Sequence, residues 1–172
     1  TILQGLSGAE GKISKTNGEN LKLGDVFATG KTKIENATFV DSNLTIRSLN
    51  SSANTLTITS TTTLITGIQT IDIEDANLTI TNGTQPSLKL NKNATITSRG
   101  VSKIEASQIT ASGTYDINVQ NGTLTIQETA DAGDMLQSLT LGTKGKQGAN
   151  FVFANNLSLS SPPSSSSPSY HD

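Results

Sequence analysis

From Leu44 to Ile126 the chain keeps returning to one short pattern, two apolar residues flanking a polar one. The pairs are Leu44/Ile46, Leu56/Ile58, Ile71/Ile73, Leu78/Ile80, Leu88/Leu90, Ile117/Val119 and Leu124/Ile126. Single anchors at Leu64, Ile96, Ile104 and Ile109 fill the gaps. In an extended strand such a pair sends two side chains to one face and the residue between them to the other. That middle residue is usually Thr, whose β-branch suits a pleated surface open to water. The stretch therefore reads as many short strands, each with one buried face.

Spacing decides how those strands assemble. Leu56 to Leu78 is 22 residues, Leu64 to Leu88 is 24, Ile96 to Ile117 is 21 and Ile117 to Leu139 is 22. A period in the twenties marks a solenoid, in which each coil buries its apolar edge against the next. The expected fold is all-β, a parallel β-helix with three short strands per coil of about 20–24 residues. Ile46, Ile58, Ile73, Ile80, Leu90, Ile96, Ile117 and Ile126 should point inward. A β-sandwich is the rival, but only Asn82-Gly83 and Asn121-Gly122 offer hairpin turns between strands. A phrase also recurs at Ile34-Glu35-Asn36-Ala37, Ile73-Glu74-Asp75-Ala76 and Ile104-Glu105-Ala106-Ser107, at uneven intervals.

Composition agrees with a thin-cored stack. Only 33% of the 172 residues are hydrophobic and 3% aromatic, too few to fill a spherical interior well. Thr (26) and Ser (21) make about a quarter of the chain. A net charge of −2 with interspersed signs offers nothing to a polyanion, so no nucleic-acid partner is expected. The chain has no cysteine, which suits a bacterial surface protein stabilised by stacking, and equally a cytosolic one.

Residues 1–33 are richer in Gly and Lys and read as an irregular N-terminal coil or cap; 34–159 form the solenoid body. Residues 160–172, with their Ser-Ser-Pro-Pro run, read as a linker or tail leading to a further domain. No charged and apolar leader opens the sequence, so any signal peptide is expected to have been removed or to lie outside it. No run of 18 apolar residues is present for a transmembrane helix.

Several motifs resemble chemistry without completing it. Gly24 to Thr32 looks like a phosphate-binding loop, but five residues separate Gly24 from Gly30 where four are needed, and no helical pattern follows. Asp72, Glu74 and Asp75, with Glu105 supplied by a neighbouring coil, could approach a calcium site or an acid pair. Alternation with Ile71 and Ile73 instead makes Asp72 and Glu74 a solvated outer face. The one histidine, His171, lies beside Tyr170 in the tail, away from any nucleophile in the body. A polysaccharide-cleaving site would have to be built from carboxylates with Arg47, Arg99 and Tyr115 and no Trp. No catalytic, cofactor-binding or metal-ligating residue is assigned, and no cofactor is expected.

Two surface signals remain. Eight Asn-x-Ser/Thr sequons begin at Asn36, Asn43, Asn50, Asn77, Asn82, Asn93, Asn121 and Asn156, where composition alone gives roughly four. Turn-forming Asn ahead of Thr-rich strands accounts for the excess, with glycosylation the competing reading. Thr-x-Thr pairs at 55/57/59, 61/63, 79/81, 95/97 and 123/125 resemble an ice-ordering array, but their intervals are uneven.

Phrases such as Asn43-Leu44-Thr45-Ile46, Asn77-Leu78-Thr79-Ile80-Thr81, Asn93-Ala94-Thr95-Ile96-Thr97 and Gly122-Thr123-Leu124-Thr125-Ile126 resemble the passenger domains of bacterial autotransporters and filamentous-haemagglutinin-type exoproteins. The likeness covers residues 34–160. It implies a secreted, right-handed β-helical and adhesive module at the bacterial cell surface or outside the cell. The expected partners are a host cell surface, a glycan or a sister subunit met through the solenoid ends. A structural subunit of an extracellular filament or layer is the alternative, and a polysaccharide-cleaving enzyme the minor one.

Overall fold

The computed structural model describes residues 1–5, 10–14, 21–47, 54–60, 64–81, 87–111, 115–128, 137–142, 149–153 and 157–158. The regular elements among them are all strands, and successive circuits of the chain lay them on three sides of a prism. β1 (Ile2–Gln4), β2 (Gly11–Ile13) and β3 (Leu21–Leu23) make one circuit. β4 (Val26–Thr29), β5 (Lys31–Glu35) and β6 (Ala37–Phe39) make the next. β7 (Ser42–Arg47), β8 (Thr55–Thr59) and the start of β9 (Leu64–Glu74) follow. Then come the end of β9, β10 (Asn77–Ile80) and the start of β11 (Ser87–Arg99). The end of β11, β12 (Val101–Ala106) and β13 (Gln108–Ala111) lead on to β14 (Tyr115–Val119) and β15 (Thr123–Glu128).

Every strand to this point pairs in parallel with its counterparts one circuit away, as in β8 with β10 and β12 with β15. The protein is a parallel β-solenoid. Parallel register begins at Ile2, whose Cα partner is Phe27, and residue 33 falls inside β5. β9 and β11 are long enough to turn a corner, so hydrogen bonding joins the first and third sides into one nine-stranded sheet. The second side is a seven-stranded sheet, β16-β15-β12-β10-β8-β5-β2.

Stacking puts like on like inside. On the first side Val26, Leu44, Ile71, Ile96 and Ile117 form one buried file, and Leu3, Ala28, Ile46, Ile73, Ser98 and Val119 another. On the second side Thr32 heads the file Leu56, Leu78, Ile104 and Ile126, beside Ile34, Ile58 and Ile80. Ile65, Leu88 and Ile109 line the third. All eight residues expected inward are buried. Each such Leu or Ile contributes about 1.5–3 kcal/mol by leaving water, so repetition of the file replaces a wide core.

The corners follow from backbone sterics. Gly30, Asp75, Gly100 and Gly122 turn the chain from the first side to the second with φ of 74, 46, 69 and 73°. In this left-handed region a side chain crowds the following carbonyl, and glycine escapes that cost. A Cβ on Gly122 would run into the Gly100 carbonyl, so the corners stack backbone on backbone. Asn36 (φ 55°), Asp41 (45°) and Asn93 (62°) serve the other corners. The recurring Ile-Glu-Asn/Asp-Ala phrase is thus a corner: Asn36 ends the second side and Asp75 the first, which makes its spacing uneven. Ala106, in the third copy, stays within β12.

Two expected coil steps are corrected. Register sets Ile65 opposite Leu88, while Leu64 lies opposite Ser87. The step from Ile117 to Leu139 is not a coil at all, because the chain reverses after Glu128. β16 (Gln137–Gly142) pairs antiparallel with β15, setting Leu139 opposite Ile126. β17 (Ala149–Phe153) pairs antiparallel with β14, so Phe151 is the partner of Ile117. β18 (Leu157–Ser158) does the same on β13. Periodic spacing cannot report strand direction, since both kinds of pair carry the same alternation.

Candidate functional site

Outward positions of the first side form polar files that run across the coils. Arg47, Glu74, Arg99 and Gln120 follow one another, with Asp72 beside Glu74. Arg99 Nη2 lies 2.7 Å from Asp72 Oδ1 and Nε 3.2 Å from Glu74 Oε2, while Nη1 donates to Gln120 Oε1 at 2.9 Å. From the other flank Arg47 Nη2 lies 3.3 Å from Asp72 Oδ2, and Nη1 4.0 Å from Glu74 Oε1. Burial opposes the Arg99 charge, but Asp72 and Glu74 outweigh it and raise its pKa further. The acidic pair is therefore committed to guanidinium groups of the coils on either side.

Other residues singled out in the sequence are dispersed. Asp75 turns a corner, and its Oδ1 accepts from the Val101 N–H at 3.0 Å. Glu105 projects from the second side, 3.5 Å from Lys103 Nζ, and its Cα partner is Thr79, so it does not join Asp72. Among the described residues no group of three or more His, Cys, Asp or Glu could hold a metal ion. Gly24 to Thr32 runs along β4, round the Gly30 corner and into β5. Thr32 is buried there, donating its hydroxyl to the Thr55 carbonyl at 3.1 Å, so the stretch does not form a phosphate-binding loop. Tyr115 lies on β14. Tyr170, His171 and residues 160–172 lie outside the described residues, as do Asn50, Asn82, Asn156, Thr61 and Thr63.

The sequon asparagines split by role. Asn36 and Asn93 hold left-handed corners. Asn121 Oδ1 accepts from the Gly100 N–H at 2.7 Å, and Asn43 is tied on both sides. Asn77 is exposed on β10. The Thr rows do not share one plane. Thr55, Thr57 and Thr59 stand beside Asn77 and Thr79 on the second side, between Lys31, Lys33 and Glu35 and, across β10, Lys103 and Glu105.

A shallow depression of ≈ 290 Å³ opens on the first side, which the sequence reading missed. Val26 and Ala28 point inward, so Phe27 between them points out and is 40% exposed. Its Cα partners are Ile2, 79% exposed, and Thr45. Alongside, Asp25 Oδ1 accepts from Asn43 Nδ2 at 2.8 Å and from its backbone N at 3.3 Å, and Thr70 Oγ1 donates to Asn43 Oδ1 at 2.7 Å. The signal was available: an apolar residue at the middle position of an apolar-x-apolar triplet, Val26-Phe27-Ala28.

No helix among the described residues is long and apolar enough to cross a membrane. No family model matches the chain, and no curated protein or solved structure matches it either.

Proposed function

We propose that the chain is a secreted or surface-exposed bacterial module that acts as an adhesin or passenger scaffold and presents its flat sides to a host cell, a glycan or a sister subunit. The observation that carries the reading is the exterior of the first side, where outward residues are locked across successive coils. At the corner that leads onto this side, Asn91 Nδ2 donates both to Asp41 Oδ1 at 3.0 Å and to Gln69 Oε1 at 3.3 Å, and on the side itself the Arg47–Arg99 ladder does likewise with charge. Such cross-linking holds a wide polar surface in one arrangement before a partner arrives, which lowers the ordering cost of binding. The resemblance of the Asn-Leu-Thr-Ile phrases to autotransporter and filamentous-haemagglutinin-type passengers supports the same reading.

A filament or layer subunit is the second reading, since solenoid ends carry strand edges that can pair with another copy. Reversal of β16, β17 and β18 weighs against it, because those strands interrupt the parallel pattern that end-to-end growth would continue. A polysaccharide-cleaving enzyme has less support, since Asp72 and Glu74 face arginines. Size-exclusion chromatography with a cell- and glycan-binding assay separates the readings. An adhesin module stays monomeric and binds saturably. A subunit elongates with concentration, and monomeric behaviour with no binding would contradict both.

A further inference from the structure

We infer that the depression around Phe27 is a saccharide-binding subsite, an assignment that rests on the adhesive reading above and gives it a place and a ligand class. Its volume, ≈ 290 Å³, lies just under the about 300 Å³ at which pockets for drug-sized ligands begin. That suits one sugar residue at the end of a chain.

The chemistry lies in two adjacent outward files. Ile2, Phe27 and Thr45 form one, and Asp25 and Asn43 the other. Phe27 contributes an aromatic ring, the residue being 40% exposed. The face of an aromatic ring carries the negative lobe of its quadrupole, and the polarised C–H groups on one side of a pyranose complement it. Phe39, in contrast, is buried.

Beside the ring, hydrogen bonds fix the polar groups and leave part of each unused. Asn43 spends its carbonyl on Thr70 Oγ1 and an amide N–H on Asp25 Oδ1. Its second amide N–H remains a donor. The Asp25 carboxylate receives both of its described bonds on Oδ1, which leaves Oδ2 as an acceptor, while the Asp25 backbone carbonyl accepts from the Thr1 ammonium at 2.9 Å. The Thr45 hydroxyl can give or take. An acceptor, a donor and a hydroxyl bordering an apolar patch match a hexose, whose vicinal hydroxyls edge a hydrocarbon face. A peptide strand would instead add to an unpaired backbone edge; Phe27 lies on β4, which is hydrogen-bonded on both sides, to β1 and β7, and among the described strands the open edge nearby is the outer one of β1.

The test is to titrate the purified chain with neutral hexoses and N-acetylhexosamines, after a glycan array has chosen among them, and to measure binding to cells in parallel. Phe27→Ala is expected to weaken glycan binding by roughly tenfold or more, and Asp25→Ala comparably. Thr57→Ala, on the second side, should leave binding unchanged. Circular dichroism confirms that each variant is folded; should Phe27→Ala not fold, Asp25→Ala, at an exposed corner, decides. Glycan binding indifferent to both substitutions would overturn the subsite and leave the adhesive function standing. Cell binding with no response to any sugar would do the same. Absence of both cell and sugar binding would overturn the subsite together with the function it rests on.

Discussion

Arg99 reaches back one coil to Asp72, Nη2 to Oδ1 at 2.7 Å, although 27 residues separate them in sequence. The contact exists only because the end of β11 lies in register beside the end of β9, with Thr97 opposite Asp72 and Arg99 opposite Glu74. It joins the outer surface of one coil to the next as the apolar files join their interiors.

The first prediction concerns that contact. Both side chains are partly exposed, at 21% and 32%, so a double-mutant cycle of Arg99→Ala and Asp72→Ala should return a coupling of about 0.5–1 kcal/mol, shrinking as salt is added. Urea unfolding at two salt concentrations measures it. Zero coupling at low salt would mean that the ladder does not bind the coils together.

Ser98 interrupts the file of Ile73 and Val119, fully buried with no hydrogen-bond partner for its hydroxyl among the described residues. An unpaired buried hydroxyl costs about 1–3 kcal/mol, so Ser98→Ala should raise the urea midpoint. Ile96→Asp, one position along the same side, should lower stability by several kcal/mol by burying a charge. A destabilised Ser98→Ala protein would show that the hydroxyl has a partner after all.

Much of this was legible in the sequence, for a physical reason. Burial follows the period-two alternation, and one-dimensional stacking repeats it every coil, so the residues expected inward are inward. Strand direction after Glu128 was not legible, because Leu139 and Phe151 present the same alternation in either orientation. The acid and arginine residues were named, yet Asp72 meets Arg47 and Arg99 only through register, which corner lengths set and no periodicity states. Phe27 directly follows another apolar residue, Val26, so the run reads as an apolar pair. Adjacent residues on a strand cannot share a face, and Ala28, small but inward, was the overlooked partner.

Corner glycines give a third prediction. Gly122→Ala places a Cβ against the Gly100 carbonyl and also forces a non-glycine residue to φ 73°, so it should cost about 2 kcal/mol or more. Gly24→Ala has open space around it and should change stability by less than about 1 kcal/mol. Equal effects in thermal denaturation would contradict stacking of the corners.

pH should act through Lys12 and Glu35, 2.6 Å apart between β2 and β5. The hydrogen bond and charge of Glu35 raise the Lys12 pKa, and the hydrogen bond from Lys12 lowers that of Glu35. The Glu35 share of stability is complete above the ordinary carboxylate range and is lost as pH falls through its lowered pKa. The Lys12 share is complete below the ordinary lysine range and is lost as pH rises through its raised pKa. The stability difference between wild type and Glu35→Gln should therefore be largest near neutrality and vanish in acid. A difference that grows on acidification would contradict the pairing.

Parallel coils in register underlie every file, ladder and subsite described here, and one measurement tests them directly. The chain has no cysteine, so introduced pairs can be read without background. Thr57 and Thr79 are Cα partners on β8 and β10, and a disulfide needs Cα atoms about 4.4–6.8 Å apart. Thr57→Cys with Thr79→Cys should form a disulfide readily under mild oxidation of the folded protein, detected by peptide mass spectrometry. Thr57→Cys with Thr97→Cys, on different sides of the prism, should form none within the monomer. Failure of the first pair alongside cross-linking of the second would contradict the solenoid.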